Sequence, residues 1–278
     1  MGVELSVVVS TFNQPEWLAL CLTGLRAQTW QNFEVLIADD GSEPATSAVV
    51  QFESKRSNFP IRHFWQENAG FRKCRILNTA VQNSIAEYLV FLDGDCIARR
   101  DFLIAHLRAR RPGRFLSGGY VKLPSSTSAR ITRDALSQGH CFDKQWLATQ
   151  GFKGARHCLK LTRRHALARL ADYCSPARAS WNGHNASAWK RDIYRVNGFD
   201  ERMAYGGEDR EFGERLERSG VTGLRIRHRA PVLHLEHERG YVNAPDRAAN
   251  DRIRAEGLRD RTTKTEFGIR ERIDFRSD

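Results

Sequence analysis

Short apolar runs alternate four times with segments of helical periodicity over the first hundred residues. The runs lack polar alternation and are rich in β-branched residues, which is typical of strands buried on both faces of a sheet. They predict strands over residues 5–10, 33–38, 61–65 and 88–92. Between them, apolar positions three and four apart predict helices over residues 15–25, 44–56 and 70–85. This order predicts an α/β domain with a mostly parallel, Rossmann-like central sheet flanked by helices.

The pattern changes after residue 100, where the periodic elements become shorter. Residues 129–173 are basic and partly helical, which predicts a basic helical insertion. Residues 243–278 mix charges of both signs at high density and predict an exposed helix or tail with little core of its own. Other strands are expected at residues 117–123 and 226–235, a loop or short strand at 183–187, and helices at 190–196 and 210–219.

Composition places the chain among ordinary soluble proteins. Hydrophobic residues make up 41% and charged residues 28% of the chain, and the longest apolar runs are too short to span a bilayer. No basic segment precedes an early apolar region, so we expect no secretory signal. The six cysteines form no C-x-x-C pair, which favours reduced thiols and a cytoplasmic protein.

The net charge of +11 is concentrated in one segment. Residues 99–170 contain 16 Lys and Arg but only three Asp, which gives a local charge of +13. A charge of this size attracts anions and exceeds what a solubilising surface needs. We therefore predict that the segment docks onto an anionic glycan, a lipid-linked glycan or the cytoplasmic face of a membrane. Leu159, Leu167 and Leu170 form either an apolar stripe for such docking or the inward face of an ordinary helix.

Two carboxylates stand at the end of the fourth predicted strand. Asp93 and Asp95 are separated by Gly94 and follow the apolar run of residues 88–92. Open α/β sheets bind their ligands at the carboxyl ends of the strands. Two neighbouring carboxylates repel each other unless a cation lies between them, and such ligands suit a hard divalent metal that holds a diphosphate. The sequence therefore predicts a metal and diphosphate site here.

Two further segments belong to the same predicted sheet edge. Asp40, after the second strand, either accepts hydrogen bonds from a nucleoside or forms an ordinary Asp-Gly turn. Together with Asp93 and Asp95, we interpret it as part of the site. Residues 68–75 open a helix with several cationic side chains. They form either a diphosphate cradle or a solvated basic helix face.

Acidic and imidazole clusters follow in the second half. Glu208 and Asp209 come after a Gly pair at the start of a predicted helix. They are either a general base held where a loop meets a helix, or acids favoured there by the helix dipole. His234 and His237 follow an apolar run. One of these imidazoles either completes the coordination of a metal at Asp95 or has a structural role.

In this order the motifs resemble those of the family 2 glycosyltransferases with the GT-A fold. The latter half resembles the acceptor motif of chondroitin-polymerase-type and β-1,4-galactosyltransferase-type enzymes. The resemblance extends over roughly residues 4–240. The matching segments are residues 10–13, 28–29, 33–42, 68–70 with Arg75, 93–95, 197–201 and 206–209.

This resemblance implies inverting, metal-dependent transfer of a sugar from a UDP-sugar to a glycan hydroxyl, in the synthesis of bacterial envelope polysaccharide or lipopolysaccharide. It implies a nucleotide-sugar-binding half in residues 1–100 and an acceptor-binding half of the same domain in residues 101–242. Residues 243–278 would be the charged C-terminal helix or tail.

The resemblance also implies roles for individual residues. The nucleotide sugar would be held by Thr11, Phe12, Asn13, Asp40, Asn68, Gly70, Arg75, Asp93 and Gly94. The metal, Mn²⁺ or Mg²⁺, would be held by Asp95, Asp93 and His234, with His237 as the alternative imidazole. The acceptor would contact Asn182, Gly207 and Glu208. Asp209 and Glu208 would be the catalytic pair, in which Asp209 takes the proton and Glu208 positions the acceptor.

Two other classes of function fit parts of the sequence. Nucleotidyl transfer on a similar sheet usually needs a Gly-rich basic loop after the first strand, and residues 10–15 contain neither glycine nor a basic residue. A nucleic-acid-binding module is supported only by the basic segment, without aromatic or groove-reading elements. We therefore expect no nucleic-acid partner.

Overall fold

The first half of the chain forms the parallel sheet that its apolar pattern predicts. The computed structural model describes residues 2–154, 159–236 and 244–269. The first four strands are β1 (Leu5–Thr11), β2 (Phe33–Asp39), β3 (Ile61–Trp65) and β4 (Tyr88–Asp93). They pair in parallel in the order β3-β2-β1-β4. The helices between them are α1 (Pro15–Arg26), α2 (Pro44–Ser54) and α3 (Lys73–Asn83).

The second half widens this sheet and adds a smaller one. Its strands are β5 (Cys96–Ala98), β6 (Arg114–Ser117), β7 (Gly119–Lys122), β8 (Asn185–Trp189), β9 (Thr222–Arg225) and β10 (Pro231–His234). Beyond β4 the large sheet continues with β8, β6 and β9, and β8 runs antiparallel to both neighbours. Strand β10 lies between β5 and β7 in the small sheet.

In the described part of the chain, five α-helices of four to ten residues lie in or extend from the basic segment, and three more follow it. They are α4 (Phe102–Ala109), α5 (Ser125–Ser128), α6 (Arg133–Ser137), α7 (Lys144–Thr149) and α8 (His165–Cys174). After the basic segment come α9 (Lys190–Arg195), α10 (Glu208–Arg218) and α11 (Ala244–Arg259). Among the described residues, no helix combines the length and the apolar character that crossing a bilayer requires.

The strand predicted at residues 117–123 is divided in two at Gly118. A Cβ at this position would lie 1.9 Å from the Asn185 side chain. Asn185 is fully buried, and its amide nitrogen donates to the carbonyls of Gly119 and Ala230 at 2.8 and 2.7 Å. The chain therefore bends at the glycine and passes from the large sheet into the small one, which joins the two sheets beside the site.

Two hydrophobic clusters cover the two faces of the large sheet. Val7 and Val9 of β1 belong to the cluster that includes residues of α1 and α4, whereas Val8 belongs to the cluster that includes residues of α3 and α10. Because both faces are buried, the strand has a continuous apolar sequence.

The C-terminal part contributes more to the core than its charge suggests. Within α11, Asn250 is buried and most other residues are exposed, as expected for an exposed helix. Ile269 is fully buried, and its N–H donates to the carbonyl of Asn197 at 3.1 Å. The expectation of little core was wrong for this residue, because its burial depends on a turn far away in the sequence.

Candidate active site

A cleft of about 790 Å³ opens at the carboxyl ends of β1, β2 and β4. Most of the residues that the sequence analysis selected line it, including some from both halves of the chain. They are Thr11, Phe12, Asn13, Asp40, Asn68, Gly70, Asp93, Gly94, Asp95, Asn182, Gly207, Glu208, Asp209 and His234. Arg75 is exposed on α3 and does not line the cleft. His237 lies outside the described residues.

Asp40 ties the end of β2 to the loop before α3. Its Oδ1 accepts from Gln66 Nε2 at 2.6 Å, and its Oδ2 accepts from the backbone N–H of Arg72 at 2.8 Å. Burial raises the pKa of this carboxyl despite both hydrogen bonds. The neighbouring Gly41 has a φ of +92°, and a Cβ there would lie 2.6 Å from the Asn68 backbone. The turn after β2 and the segment of residues 68–75, which are separate in the sequence, therefore form one wall of the cleft.

The first strand contributes a hydroxyl to the floor of the cleft. Thr11 Oγ1 is buried and has no hydrogen-bond partner within the described part of the chain. Gly94 approaches closely, since a Cβ there would lie 3.3 Å from this oxygen. Buried polar atoms are rarely left without a partner. The hydroxyl is therefore positioned to bind a ligand.

Asp93 is held as an ionised carboxylate. Its Oδ1 accepts from Ser10 Oγ at 2.6 Å and from Lys73 Nζ at 2.8 Å. Burial alone would raise the pKa of Asp93, but the charge of Lys73, the nearby His184 and the two hydrogen bonds together lower it. Asp93 therefore presents a negative charge to the cleft at neutral pH.

Asp95 and His234 face each other because β5 pairs with β10. The register places His234 opposite Cys96, and the Leu235 N–H donates to the Asp95 carbonyl at 3.0 Å. His234 Nε2 lies 3.5 Å from Asp95 Oδ2. His234 Nδ1 lies 3.0 Å from the carbonyl of Leu235, which can only accept. Nδ1 therefore carries a proton that it donates to this carbonyl, and Nε2 is the ring nitrogen that faces the Asp95 carboxylate.

A cation bound by both Asp95 Oδ2 and His234 Nε2 would lie between two donors that are 3.5 Å apart. Oxygen and imidazole nitrogen donors suit Mn²⁺, and histidines that bind metals usually donate their other ring N–H to a carbonyl or carboxylate. The Cys96 thiol lies within the same group of possible donors, all within 4.8 Å of one another. Burial raises the pKa of this thiol well above its usual range, so it stays protonated and ligates poorly. The donor set thus fits a divalent metal.

Glu208 and Asp209 line the same cleft from the start of α10. Asp209 Oδ2 accepts from the Gly183 N–H at 2.9 Å, while its Oδ1 is buried and without a partner in the described residues. Burial raises the pKa of Asp209. Glu208 Oε2 accepts from the Gly206 N–H at 2.9 Å. Burial, together with the charge of Asp209, raises the pKa of Glu208 to about 7. The raised pKa brings both carboxyls closer to the proton affinity of a general base.

Lys73 is the main site residue that the sequence analysis did not assign a role. Burial disfavours its charge, but the carboxylates of Asp93, Asp209 and Glu208 outweigh burial and raise the pKa of Lys73 well above its usual range. The ammonium group therefore connects the metal-binding side of the cleft electrostatically with the carboxylates of α10. In the sequence, the feature that points to Lys73 is its position among the cationic side chains of residues 68–75.

His184 is a second residue that sequence reasoning missed. Its Nε2 is buried and has no hydrogen-bond partner among the described residues, and its ring packs edge-on against Tyr120 with centroids 4.8 Å apart. Burial lowers the pKa of His184 to about 4, which leaves a neutral imidazole in the cleft. A histidine between Gly183 and Asn185 gave no recognisable spacing signal.

Comparison with protein families identifies the class to which this cleft belongs. The model described as glycosyl transferase family 2 matches residues 6–167, and one described as N-terminal domain of galactosyltransferase matches residues 162–238. The first match covers more than half of the chain, so the protein belongs to glycosyl transferase family 2. The predicted family and the predicted glycosyltransferase class are confirmed.

Relatives with curated names are similar over nearly the whole chain. The uncharacterized glycosyltransferase YfnE of Bacillus subtilis is 26% identical over 89% of this chain and 69% of its own length. The chondroitin synthase of Escherichia coli is 26% identical over 90% of this chain. The hyaluronan synthase of Pasteurella multocida is 26% identical over 93% of this chain. The matches cover only 37% and 27% of these two synthases.

Solved structures confirm the GT-A fold. The mannosyltransferase PcManGT from Pyrobaculum calidifontis, in complex with GDP-Man and Mn²⁺, matches 94% of this chain and 65% of its own with a TM-score of 0.60 and 19% identity. S. aureus TarS 1–349, in complex with UDP-GlcNAc, matches 92% of this chain and 66% of its own with a TM-score of 0.61 and 16% identity. At these identities the similarity establishes the fold alone.

Proposed function

We propose that the protein is an inverting, metal-dependent glycosyltransferase that moves a sugar from a UDP-sugar to a hydroxyl of an acceptor glycan. One observation carries the proposal. One cleft is lined both by Asp95, His234 and the ionised Asp93 and by the buried carboxyls of Glu208 and Asp209. Such an arrangement provides diphosphate-binding groups and proton-accepting groups in one site, as transfer by direct displacement requires.

We assign the donor to residues 1–100 and the acceptor to residues 101–242, with residues 243–278 as an appended charged part. The wall formed by Asp40 and Asn68 and the hydroxyl of Thr11 would bind the nucleotide. Neighbouring folds solved with UDP-GlcNAc and with GDP-Man and Mn²⁺ support a nucleotide-sugar donor. Asp93, Asp95 and His234 would hold Mn²⁺ or Mg²⁺, with His237 kept as the alternative imidazole. The bound cation would neutralise the charge of the departing diphosphate.

The chain's own residues account for the remaining chemistry. Asp209 Oδ1 takes the proton of the acceptor hydroxyl. At the same time the hydroxyl oxygen forms a bond to the anomeric carbon, and the bond from that carbon to the diphosphate breaks. A single displacement of this kind inverts the anomeric carbon. Glu208, Gly207 and Asn182 orient the acceptor, and Lys73 holds Asp93 in its ionised form.

We further propose a bacterial envelope polysaccharide or lipopolysaccharide as the acceptor glycan and a cytoplasmic location. The relatives named chondroitin synthase and hyaluronan synthase support a glycan acceptor. The cysteines among the described residues are free thiols, which supports a reducing compartment. Family membership favours this function over nucleotidyl transfer or nucleic-acid binding.

A screen of UDP-sugars with Mn²⁺ tests the proposal. UDP release is measured together with sugar transfer to glycan acceptors, and NMR of the product gives the anomeric configuration. We expect transfer with one UDP-sugar, inversion at the anomeric carbon, and loss of activity with chelator. Retention of configuration, or full activity in the presence of chelator, would contradict the mechanism.

A further inference from the structure

Helix α8 presents an apolar stripe to solvent. Leu167, Leu170 and Tyr173 lie three residues apart, so they occupy one side of the helix. Their exposed fractions are 38%, 58% and 84%. Leu159, just before the helix, is 49% exposed. Large apolar side chains grouped on a surface usually mark an interaction site.

The opposite side of α8 is fixed to the body of the protein. Ala168 and Asp172 are buried one turn apart. Asp172 Oδ1 accepts from the His228 N–H at 2.8 Å, and its Oδ2 accepts from Arg229 Nε at 2.8 Å. The contacts of Asp172 therefore hold one side of the helix against the protein, and the apolar stripe on the other side faces solvent. The acid among its ten residues is neutralised inside the protein and adds no negative charge to the outer surface.

Cations border the stripe. Arg164 and Arg169 are exposed, and among the described residues neither guanidinium makes a hydrogen bond or an ion pair. Guanidinium groups flanking an apolar stripe match the two parts of an anionic lipid bilayer, its headgroup charge and its hydrocarbon. A helix of this kind lies in the plane of the interface with its apolar side in the lipid.

We propose that this α8 surface, defined as Leu159, Arg164, Leu167, Arg169, Leu170 and Tyr173, docks the protein onto an anionic membrane. The anchoring contacts give the docking a functional consequence. Arg229, which holds Asp172, is two residues from Arg227 of the cleft wall, and Lys160 donates to the carbonyl of Tyr120, which also lines the cleft. Docking through α8 therefore fixes the height and orientation of the acceptor side of the cleft above the lipid.

Sedimentation of the whole chain with vesicles tests this proposal without any assay of transfer. The vesicles contain phosphatidylcholine alone or phosphatidylcholine mixed with phosphatidylglycerol. We expect binding to the anionic vesicles that weakens with salt, and little binding to the neutral ones. Each arginine near an anionic surface contributes about fivefold to partitioning. The double variant R164Q/R169Q is therefore expected to bind about 25-fold more weakly.

A second variant and a matched control separate the stripe from general surface effects. L167S/L170S/Y173S should lose at least about tenfold of the anionic binding, because each buried apolar group contributes to insertion. The control L258S/R252Q alters an exposed leucine and an exposed arginine on α11 and should bind within about twofold of the parent protein. Unchanged thermal midpoints would show that all variants fold.

Several outcomes would overturn the proposal. They are equal binding of the parent protein to neutral and anionic vesicles, no binding to either, and an equal loss in the α11 control. If the parent protein instead self-associates or binds a protein through the stripe and ignores vesicles, α8 is a protein interface and not a membrane surface. None of these outcomes bears on the proposed glycosyl transfer, which a soluble acceptor would still report.

Discussion

The two acids that begin α10 are held differently, and this difference separates their roles. Asp209 is fixed through one oxygen by the Gly183 N–H and leaves its other oxygen buried and unpartnered among the described residues. Glu208 closes back on the Gly206 N–H of its own loop. Asp209, with one fixed oxygen and one available oxygen, is therefore suited to accept a proton. Glu208 instead stabilises the loop that contacts the acceptor.

Replacing Asp209 by Asn tests this assignment. The amide has nearly the same shape but cannot accept the proton of the acceptor hydroxyl. We expect Asp209→Asn to lower kcat by at least about a hundredfold, the usual size of general base catalysis. Affinity for UDP with Mn²⁺, measured by calorimetry, should change little, and Glu217→Gln on the same helix should leave kcat unchanged. A near-normal kcat would remove Asp209 from the mechanism.

The charge of Lys73 should set the pH range of activity. Burial raises the pKa of both Glu208 and Asp209, and Lys73 lowers both. Because the base Asp209 must be deprotonated and burial raises its pKa, we expect activity to fall at low pH, in a range above that usual for an aspartate. Lys73→Met removes the cation, so the pKa of both carboxyls rises and the acid limb of the kcat profile moves to higher pH. Lys144→Met, an exposed lysine away from the cleft, should not move it.

Residue types at strand ends were predictable, whereas their partners were not. Asp93 and Asp95 stand out because a two-residue spacing after a buried strand has a simple chemical meaning. Lys73 and His184 acquire a role in the site only because α3 and the segment before β8 fold against the strand ends. Arg75 belongs to the same basic run as Lys73 but points away from the cleft. The two side chains are two residues, or about 200° of helical rotation, apart, and the sequence alone did not resolve which of them faces the cleft.

Among the elements, those with both faces buried were the most predictable. Strands β1, β2 and β4 have continuous apolar sequences because helices cover both sides of the sheet. The break at Gly118 was missed because it depends on the buried Asn185, which approaches from a strand much later in the chain. Ile269 was missed for the same reason, since its partner Asn197 lies on a distant turn. Sequence periodicity reports local burial and carries no record of such contacts.

The junction between the two sheets should therefore be sensitive to a single methyl group. Gly118→Ala places a Cβ within 1.9 Å of the hydrogen-bonded Asn185 side chain. We expect a loss of about 1–3 kcal/mol in the free energy of unfolding, as for overpacked cores. Gly257→Ala is the matched control, because the nearest atom lies 3.5 Å away on a flexible arginine.

The control should be neutral or stabilising by up to about 1 kcal/mol, since alanine favours a helix more than glycine does. Urea denaturation of both variants measures the two free energies. If Gly118→Ala were as stable as the parent protein, the close approach of Asn185 would not determine the bend between β6 and β7.

At the scale of the whole molecule, charge is divided between an acidic cleft and a basic exterior. The chain carries a net charge of +11 with a sequence pI of about 9.7, yet Asp93, Asp95, Glu208 and Asp209 line one cleft. Close carboxylates disfavour the folded state unless cations offset them. Lys73 offsets part of this charge. A ligand that brings further positive charge should therefore stabilise the whole fold.

Binding of Mn²⁺ with UDP is expected to raise the unfolding temperature. At a ligand concentration of about 100 times Kd, the folded state gains about 2.7 kcal/mol, which corresponds to about 5–10 °C for a chain of this size. Differential scanning fluorimetry with Mn²⁺, UDP and both together measures the shift. Asp95→Asn should lose the Mn²⁺-dependent part of the shift in unfolding temperature, because the substitution removes a charged donor opposite His234. Asp251→Asn, an exposed acid on α11, should keep it. A full Mn²⁺-dependent shift in Asp95→Asn would place the metal elsewhere, since the variant leaves the other cleft carboxylates intact.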